Sequence, residues 1–182
     1  MTIRSLISAA ASARSLEHAR NLESSELFAP AKTQLVALAA MLRDSKAPLV
    51  VVSASGRAAD ETSEALGDLV EGLEVINFPS WETLPHERLS PSPQVVGQRM
   101  RALHRLSELG KQNPKHPVLV SLSVRAALQP VVGGLSEHPP LRIVSGKNYL
   151  LPELTLKLIE MAYERVDLVT RRGEFSIRGG IL

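Results

Sequence analysis

Apolar residues first recur at helical spacing. Ile3, Leu6, Ile7, Ala10, Leu16 and Ala19 predict one or two short helices over residues 2–22, punctuated by Ser24 and Ser25. Pro30 suits a helix start, where its missing N–H has no partner to lose, and Leu35, Leu38, Ala39 and Leu42 form the apolar stripe behind it. The period then changes. Pro48-Leu49-Val50-Val51-Val52-Ser53 is a continuous run that predicts a strand buried on both faces of a parallel sheet. Ser55-Gly56 turns the chain, residues 58–70 place Ala65, Leu66 and Leu69 on one side of a helix, Gly72 ends it, and residues 73–77 read as the next strand. Strand, helix, strand in that order marks an α/β fold.

Pro79, Pro85, Pro91 and Pro93 keep residues 79–93 extended. Residues 95–109 return to helical period, with Val96, Met100, Leu103 and Leu106 on one face and Arg99, Arg101 and Arg105 on the other. A polar connector (110–117), a strand (118–122) and a short helix (124–128) follow. Composition shifts over residues 129–140, which hold Pro130, Pro139, Pro140 and the Gly133-Gly134 pair, so a boundary is placed there between domains 1–128 and 129–182. Beyond it come a strand at 141–144, a turn at Gly146-Lys147-Asn148, and a helix from Pro152 with Leu154, Leu158 and Met161 inward.

The last twenty residues predict a helix end and then a hairpin. Leu168 and Val169 form a short strand, Arg171-Arg172-Gly173 a tight turn with Gly173 at positive φ, and the alternation from Glu174 sets Phe175 and Ile177 on one face, Glu174, Ser176 and Arg178 on the other. Residues 178–182 read as a strand without a partner, and residues past 182 are expected to complete a small α+β domain.

Composition narrows the chemistry. Over 182 residues 44% are hydrophobic and only 3% aromatic, so the core must be aliphatic. The absence of cysteine excludes disulfides, thiolate nucleophiles and cysteine zinc sites, and agrees with an expected cytoplasmic location. A net charge of +2 argues against wholesale electrostatic nucleic-acid binding. No uncharged run reaches membrane-spanning length, and the apolar stretch after Arg4 is too short for a signal peptide and is interrupted by Arg14. His18, His86, His104, His116 and His138 lack helical pairing, so no metal site is expected, and His86 reads as a loop hydrogen-bonder. Ser53-Ala54-Ser55-Gly56 lacks the leading glycine of a nucleophile elbow. Trp81 reads as a loop anchor rather than a base-stacking platform. The arginines at 99, 101 and 105 read as a solvated helix face, with phosphate contact the functional alternative.

Two strings carry a resemblance. Tyr163-Glu164-Arg165-x-Asp167, followed by Arg171-Arg172-Gly173-x-Phe175-x-x-Arg178-Gly179, resembles the module shared by the excinuclease component UvrB and the bacterial transcription-repair coupling factors. Phe78-Pro79-Ser80-Trp81-Glu82-Thr83-Leu84-Pro85-His86-Glu87-Arg88-Leu89-Ser90-Pro91 resembles the coupling factors specifically. The resemblance implies a degenerate P-loop, helicase-like parallel-sheet domain serving as scaffold, then a small domain that docks onto the excinuclease component UvrA. It implies that Arg165 and Arg178 make the contact, since a guanidinium fork pairs two-pronged with carboxylates. An arginine common in UvrB two positions before Arg178 is Ser176 here. Residues 78–103 hold one tryptophan and no tyrosine, and are too short for the DNA-probing hairpin of UvrB, so damage verification is not expected.

The family's phosphate loop reads Gly-x-x-x-x-Gly-Lys-Thr, and Glu26-Leu27-Phe28-Ala29-Pro30-Ala31-Lys32-Thr33 stands at the matching place. Lys32 and Thr33 remain, but Glu26 brings a negative charge, Ala31 a Cβ, and Pro30 removes a donor. The loop is read as vestigial, with no cofactor and no catalytic residues in this chain. The resemblance further implies that a whole family member recognises stalled RNA polymerase and moves along double-stranded DNA with an ATP- and Mg-dependent motor outside residues 1–182. The alternatives are an ATP-dependent enzyme like UvrB or a helicase, and a non-specific DNA-binding module.

Overall fold

The computed structural model describes residues 2–84, 87–111, 114–131, 133–134 and 140–182. His86 and His138 lie outside the described residues. Helix α1 (Ile3–Ala11) begins where the Thr2 hydroxyl accepts the Ser5 N–H, and α2 (Arg14–Arg20) follows after a two-residue break. Helix α3 (Ala31–Asp44) starts at Pro30 without a side-chain cap. Their inward residues Ile7, Leu16, Ala39, Ala40 and Leu42 form the first half of the core.

Strand β1 (Leu49–Ser53), helix α4 (Gly56–Leu69), strand β2 (Glu74–Phe78), helix α5 (Pro93–Leu109), strand β3 (Val118–Ser123) and helix α6 (Val124–Leu128) build a three-stranded parallel sheet in the order β1-β3-β2. Each helix start is marked by a side-chain cap: Ser55 on Ala58 N–H, Ser92 on Val95 N–H and Ser123 on Ala126 N–H. A serine oxygen there satisfies an amide that the first turn leaves free. Gly72 ends the α4–β2 connection at φ +71°, a conformation glycine adopts without steric cost.

The pleat sorts the core into two layers. Leu49, Val51, Val75 and Leu119 pack with α1, α3 and α4; Ile76, Phe78, Val118 and Val120 pack with Ala102 of α5 and Ala126 of α6. Between α4 and the sheet the Ser63 and Ser121 hydroxyls both donate to the Ala59 carbonyl, at 2.8 and 3.0 Å. β3, the central strand, is hydrogen-bonded to a neighbour on both sides and is buried at every position but one. The expectation for residues 48–53 is corrected: β1 is an edge strand whose Val50 and Val52 are 58% and 50% exposed. A continuous apolar run is equally compatible with one covered face: on the other side the core is built from residues of β2, β3, α5 and α6 and none of β1.

In the C-terminal part, residues 141–144 form no strand. Val144 instead donates its N–H to the Tyr149 hydroxyl and enters a turn closed by Lys147 N–H to the Val144 carbonyl, with Gly146 at φ +81°. Helix α7 (Leu151–Glu160) buries Leu154, while Met161 at its end is exposed. It closes in a Schellman arrangement. Ala162 takes φ +63°, its N–H reaches the Ile159 carbonyl at 2.9 Å, and the Tyr163 N–H reaches the Leu158 carbonyl at 2.9 Å. The chain then enters strand β4 (Glu164–Arg165), which pairs with β5 (Glu174–Phe175).

That pairing is parallel, with Glu164 opposite Glu174 and Arg165 opposite Phe175. The expected hairpin is therefore corrected to a crossover: residues 166–173 carry the chain back so that both strands run the same way. Leu168 and Val169, expected in a strand, sit in this crossover. The reverse turn at the end is Arg178–Ile181. Gly179 and Gly180 both have positive φ, and Arg178 and Ile181 exchange both backbone hydrogen bonds, at 3.1 and 3.0 Å. This is the two-glycine turn that matches strand twist.

Candidate docking surface

The crossover is held by side chains rather than by ladder bonds. Glu174 accepts from the Thr170 N–H (2.8 Å), the Thr170 hydroxyl (3.1 Å), the Arg171 N–H (3.1 Å) and the Arg171 Nε (2.8 Å). Its side chain is only 8% exposed. The Thr170 amide, ahead of the Arg171 amide, the Thr170 hydroxyl and the Arg171 guanidinium, draws the carboxyl down to about 2 against the opposing effect of burial. Ser176 and Arg178 continue the same alternation. The Ser176 hydroxyl and Arg178 Nη2 both donate to the Asp167 carbonyl, at 3.1 and 2.8 Å. The polar side chains at 174, 176 and 178 thus clamp the crossover instead of facing solvent alone.

Arg165 and Arg178 are both exposed. The ladder register puts Arg165 beside Phe175, whose ring is buried, whereas Arg178 belongs to the alternation that grips Asp167. Arg171 is exposed but engaged, bridging Glu174 at 2.8 Å and Glu164 at 3.5 Å. Around the crossover this leaves Arg172 and Arg178 without a carboxylate partner among the described residues, with Arg165, likewise without one, set beside Phe175. Such a surface favours an acidic counterpart.

Lys32 and Thr33 lie exposed in the first turn of α3. Among the described residues no strand precedes them, as a phosphate loop requires. The Thr33 and Gln34 amides, which would face a phosphate, are bonded to the Pro30 carbonyl at 2.8 and 3.0 Å. An open cleft of about 680 Å³ lies elsewhere, along the free edge of β2 between α4 and α5, lined by Asp60, Arg101 and His104 among others.

The proline-rich loop after β2 is tied down by Arg99. The expected solvated arginine face is corrected here: Arg99 is 1% exposed, with its guanidinium carbon 4.1 Å from the Phe78 ring centre and 4.3 Å from that of Trp81. Its Nη1 donates to the Pro79 carbonyl at 2.7 Å, and Gln129 Oε1 accepts the Trp81 N–H at 2.7 Å. Burial pushes the Arg99 pKa down. Arg105 is engaged as well, in a two-pronged pair with Glu74 at 2.6 and 2.8 Å; only Arg101 is exposed. Trp81 is a loop anchor, as its position between prolines implied. Glu82 completes the fastening by accepting the N–H and hydroxyl of Ser92, the α5 cap.

The signal for Arg99 was present in the spacing, since 99, 102, 103 and 106 lie on one helical stripe. Glu174 carried a weaker one, as a carboxylate directly after a glycine turn with amides three and four positions back. Gln129 had none. Among the described residues no group of acidic and histidine side chains could hold a metal ion, and no helix is long and apolar enough to cross a membrane.

Residues 141–182 match the UvrB interaction domain family. Over 157 residues the chain is 45% identical to a transcription-repair-coupling factor of Mycobacterium bovis, an alignment that covers 86% of this chain and 12% of that protein. The factor of Bacillus subtilis is 29% identical over 145 residues, 79% of this chain and 12% of the relative. That of Haemophilus influenzae is 31% identical over 134 residues, 73% of this chain and 11% of the relative. The chain therefore spans about 12% of the length of the curated relatives it matches.

Proposed function

Because the chain belongs to the transcription-repair coupling factor family, we propose that it is the portion of such a factor that recruits nucleotide excision repair by docking UvrA. The observation that carries this reading is a coincidence of extents. The UvrB interaction domain match over residues 141–182 falls on the unit formed by α7, β4 and β5, the unit that exposes Arg165 and Arg178. In this reading the two arginines pair with carboxylates of UvrA. Residues 1–128 are a scaffold descended from a helicase-like nucleotide-binding fold, and residues 129–182 are the docking domain. Lys32 and Thr33 are relics, without ATP or Mg bound.

Recognition of stalled RNA polymerase, ATP-driven movement on double-stranded DNA, and a cytoplasmic site of action belong in this proposal to the whole coupling factor. The test is a titration of UvrA with the chain and with Arg165→Glu and Arg178→Glu. Each charge reversal is expected to weaken binding by about 2–5 kcal/mol, the cost of stranding a buried interfacial charge. Unchanged affinity in both variants contradicts the assignment of the contact to these arginines.

A further inference from the structure

We infer that the crossover tip, Leu168 and Val169, is the apolar anchor of the docking surface, received by a partner pocket whose rim is acidic. The inference rests on the UvrA-docking reading above and deepens it. Its basis is the cost of holding this loop in one shape. Leu168 is 72% and Val169 50% exposed, although both are large aliphatic side chains. A loose loop could fold them away. This one cannot, because its backbone is fastened on either side of the pair. Asp167 is held through its carbonyl by Ser176 and Arg178, and Thr170 and Arg171 are held through their amides by Glu174. The two fastened ends leave Leu168 and Val169 projecting in a fixed place.

Preformed apolar projections of this kind lose little conformational entropy on binding, so more of the burial free energy goes into affinity. The chemistry of the receiving surface follows from the neighbours. Arg178 reaches the carbonyl next to Leu168, and Arg172 stands three residues beyond Val169. Arg171 is already neutralised by Glu164 and Glu174, leaving Asp167 as the acidic group within the crossover itself. An apolar tip flanked by guanidinium groups that have no carboxylate partner among the described residues fits an apolar depression bordered by carboxylates. Self-association is disfavoured by the same charges, since a second copy brings like charges to the rim.

The experiment measures binding of purified UvrA to the 182-residue chain and to Leu168→Ser, Val169→Ser, Glu174→Ala and, as a control outside the docking unit, Leu128→Ser at the end of α6, with thermal unfolding recorded for each. Leu168→Ser is expected to weaken binding ten-fold or more, and Val169→Ser several-fold, with unfolding midpoints unchanged. Glu174→Ala, which releases the Thr170 and Arg171 amides, is expected to weaken binding through a slower association rate. Leu128→Ser is expected to leave it as it was. If the unaltered chain binds and Arg178→Glu weakens binding while Leu168→Ser does not, the anchor is overturned and the docking reading stands. If the unaltered chain does not bind, both are overturned. If Leu168→Ser abolishes self-association of the chain and leaves UvrA affinity untouched, the tip serves a second copy and the inference is likewise overturned.

Discussion

Replacing Arg99 tests whether a buried cation with no carboxylate beside it supports the fold or burdens it. Two desolvated cation–π contacts, at 4.1 and 4.3 Å, contribute about 1–2 kcal/mol each. The hydrogen bond to the Pro79 carbonyl, from a charged donor at 2.7 Å, adds about 1.5–3 kcal/mol. Burying the ion costs several kcal/mol in return, as the depressed pKa of Arg99 reflects. Arg99→Met keeps the stem and removes both the cation and its desolvation cost, but it strands the Pro79 carbonyl, worth about 1–3 kcal/mol. The net expectation is a loss of about 2 kcal/mol for Arg99→Met, and about 3–4 kcal/mol for Arg99→Ala, which adds a cavity. At about 2–4 °C per kcal/mol the methionine variant melts about 4–8 °C lower. Trp81 is the sole tryptophan, so urea unfolding followed by its fluorescence reads the loop directly, and circular dichroism reads the helices alongside. Arg99→Met at or above wild-type stability refutes the reasoning, because the rings and the carbonyl would then not repay the buried charge.

Further outcomes follow from local geometry. Ala162 holds φ +63° at the end of α7, so Ala162→Gly should raise stability by about 0.5–1 kcal/mol, read as a higher urea midpoint for the C-terminal unit. Glu74 is held down to about 2 by Arg105 first and His116 second. A carboxyl lowered in the folded state contributes fully above its ordinary range near 4.5, and that contribution is lost as pH falls toward 2. The full shift corresponds to a ceiling of about 3 kcal/mol, which solvent access at the site reduces to about 1–2 kcal/mol. Glu74→Gln should remove that part of the acid sensitivity between those pH values and lower stability at pH 7. Titration of labelled ATP should give no saturable binding in the micromolar range, since the Thr33 and Gln34 amides are already bonded to Pro30; micromolar saturation would support the rival enzyme reading.

The elements of the sheet domain were legible because each is announced locally. Prolines 30 and 93 and serines 55, 92 and 123 mark the helix starts, and the runs at 49–53 and 118–123 have strand length. What stayed hidden was which neighbours each strand would have. The valines of β1 look as apolar as those of β3, and only sheet order, a non-local property, leaves Val50 and Val52 uncovered. The C-terminal unit was misread for a related reason. Arg171-Arg172-Gly173 does form a turn, with Gly173 at φ +92°, but a turn does not reveal whether the strands beyond it run antiparallel or cross over. The arginines named for docking could be picked out by resemblance, whereas the residues that give them a fixed setting could not. Glu174 and Ser176 read as ordinary polar positions on a half-buried strand, and their bonds to the crossover exist only once β4 and β5 pair in parallel.

The most direct measurement is a calorimetric titration of purified UvrA with the unaltered chain at two salt concentrations. Saturable binding of one chain per UvrA site that weakens several-fold in the higher salt is the expected result, since guanidinium groups and carboxylates that are solvated before docking attract one another through solvent that salt screens. No heat of binding at either salt concentration, with the chain shown to be folded in the same buffer, would contradict the docking assignment.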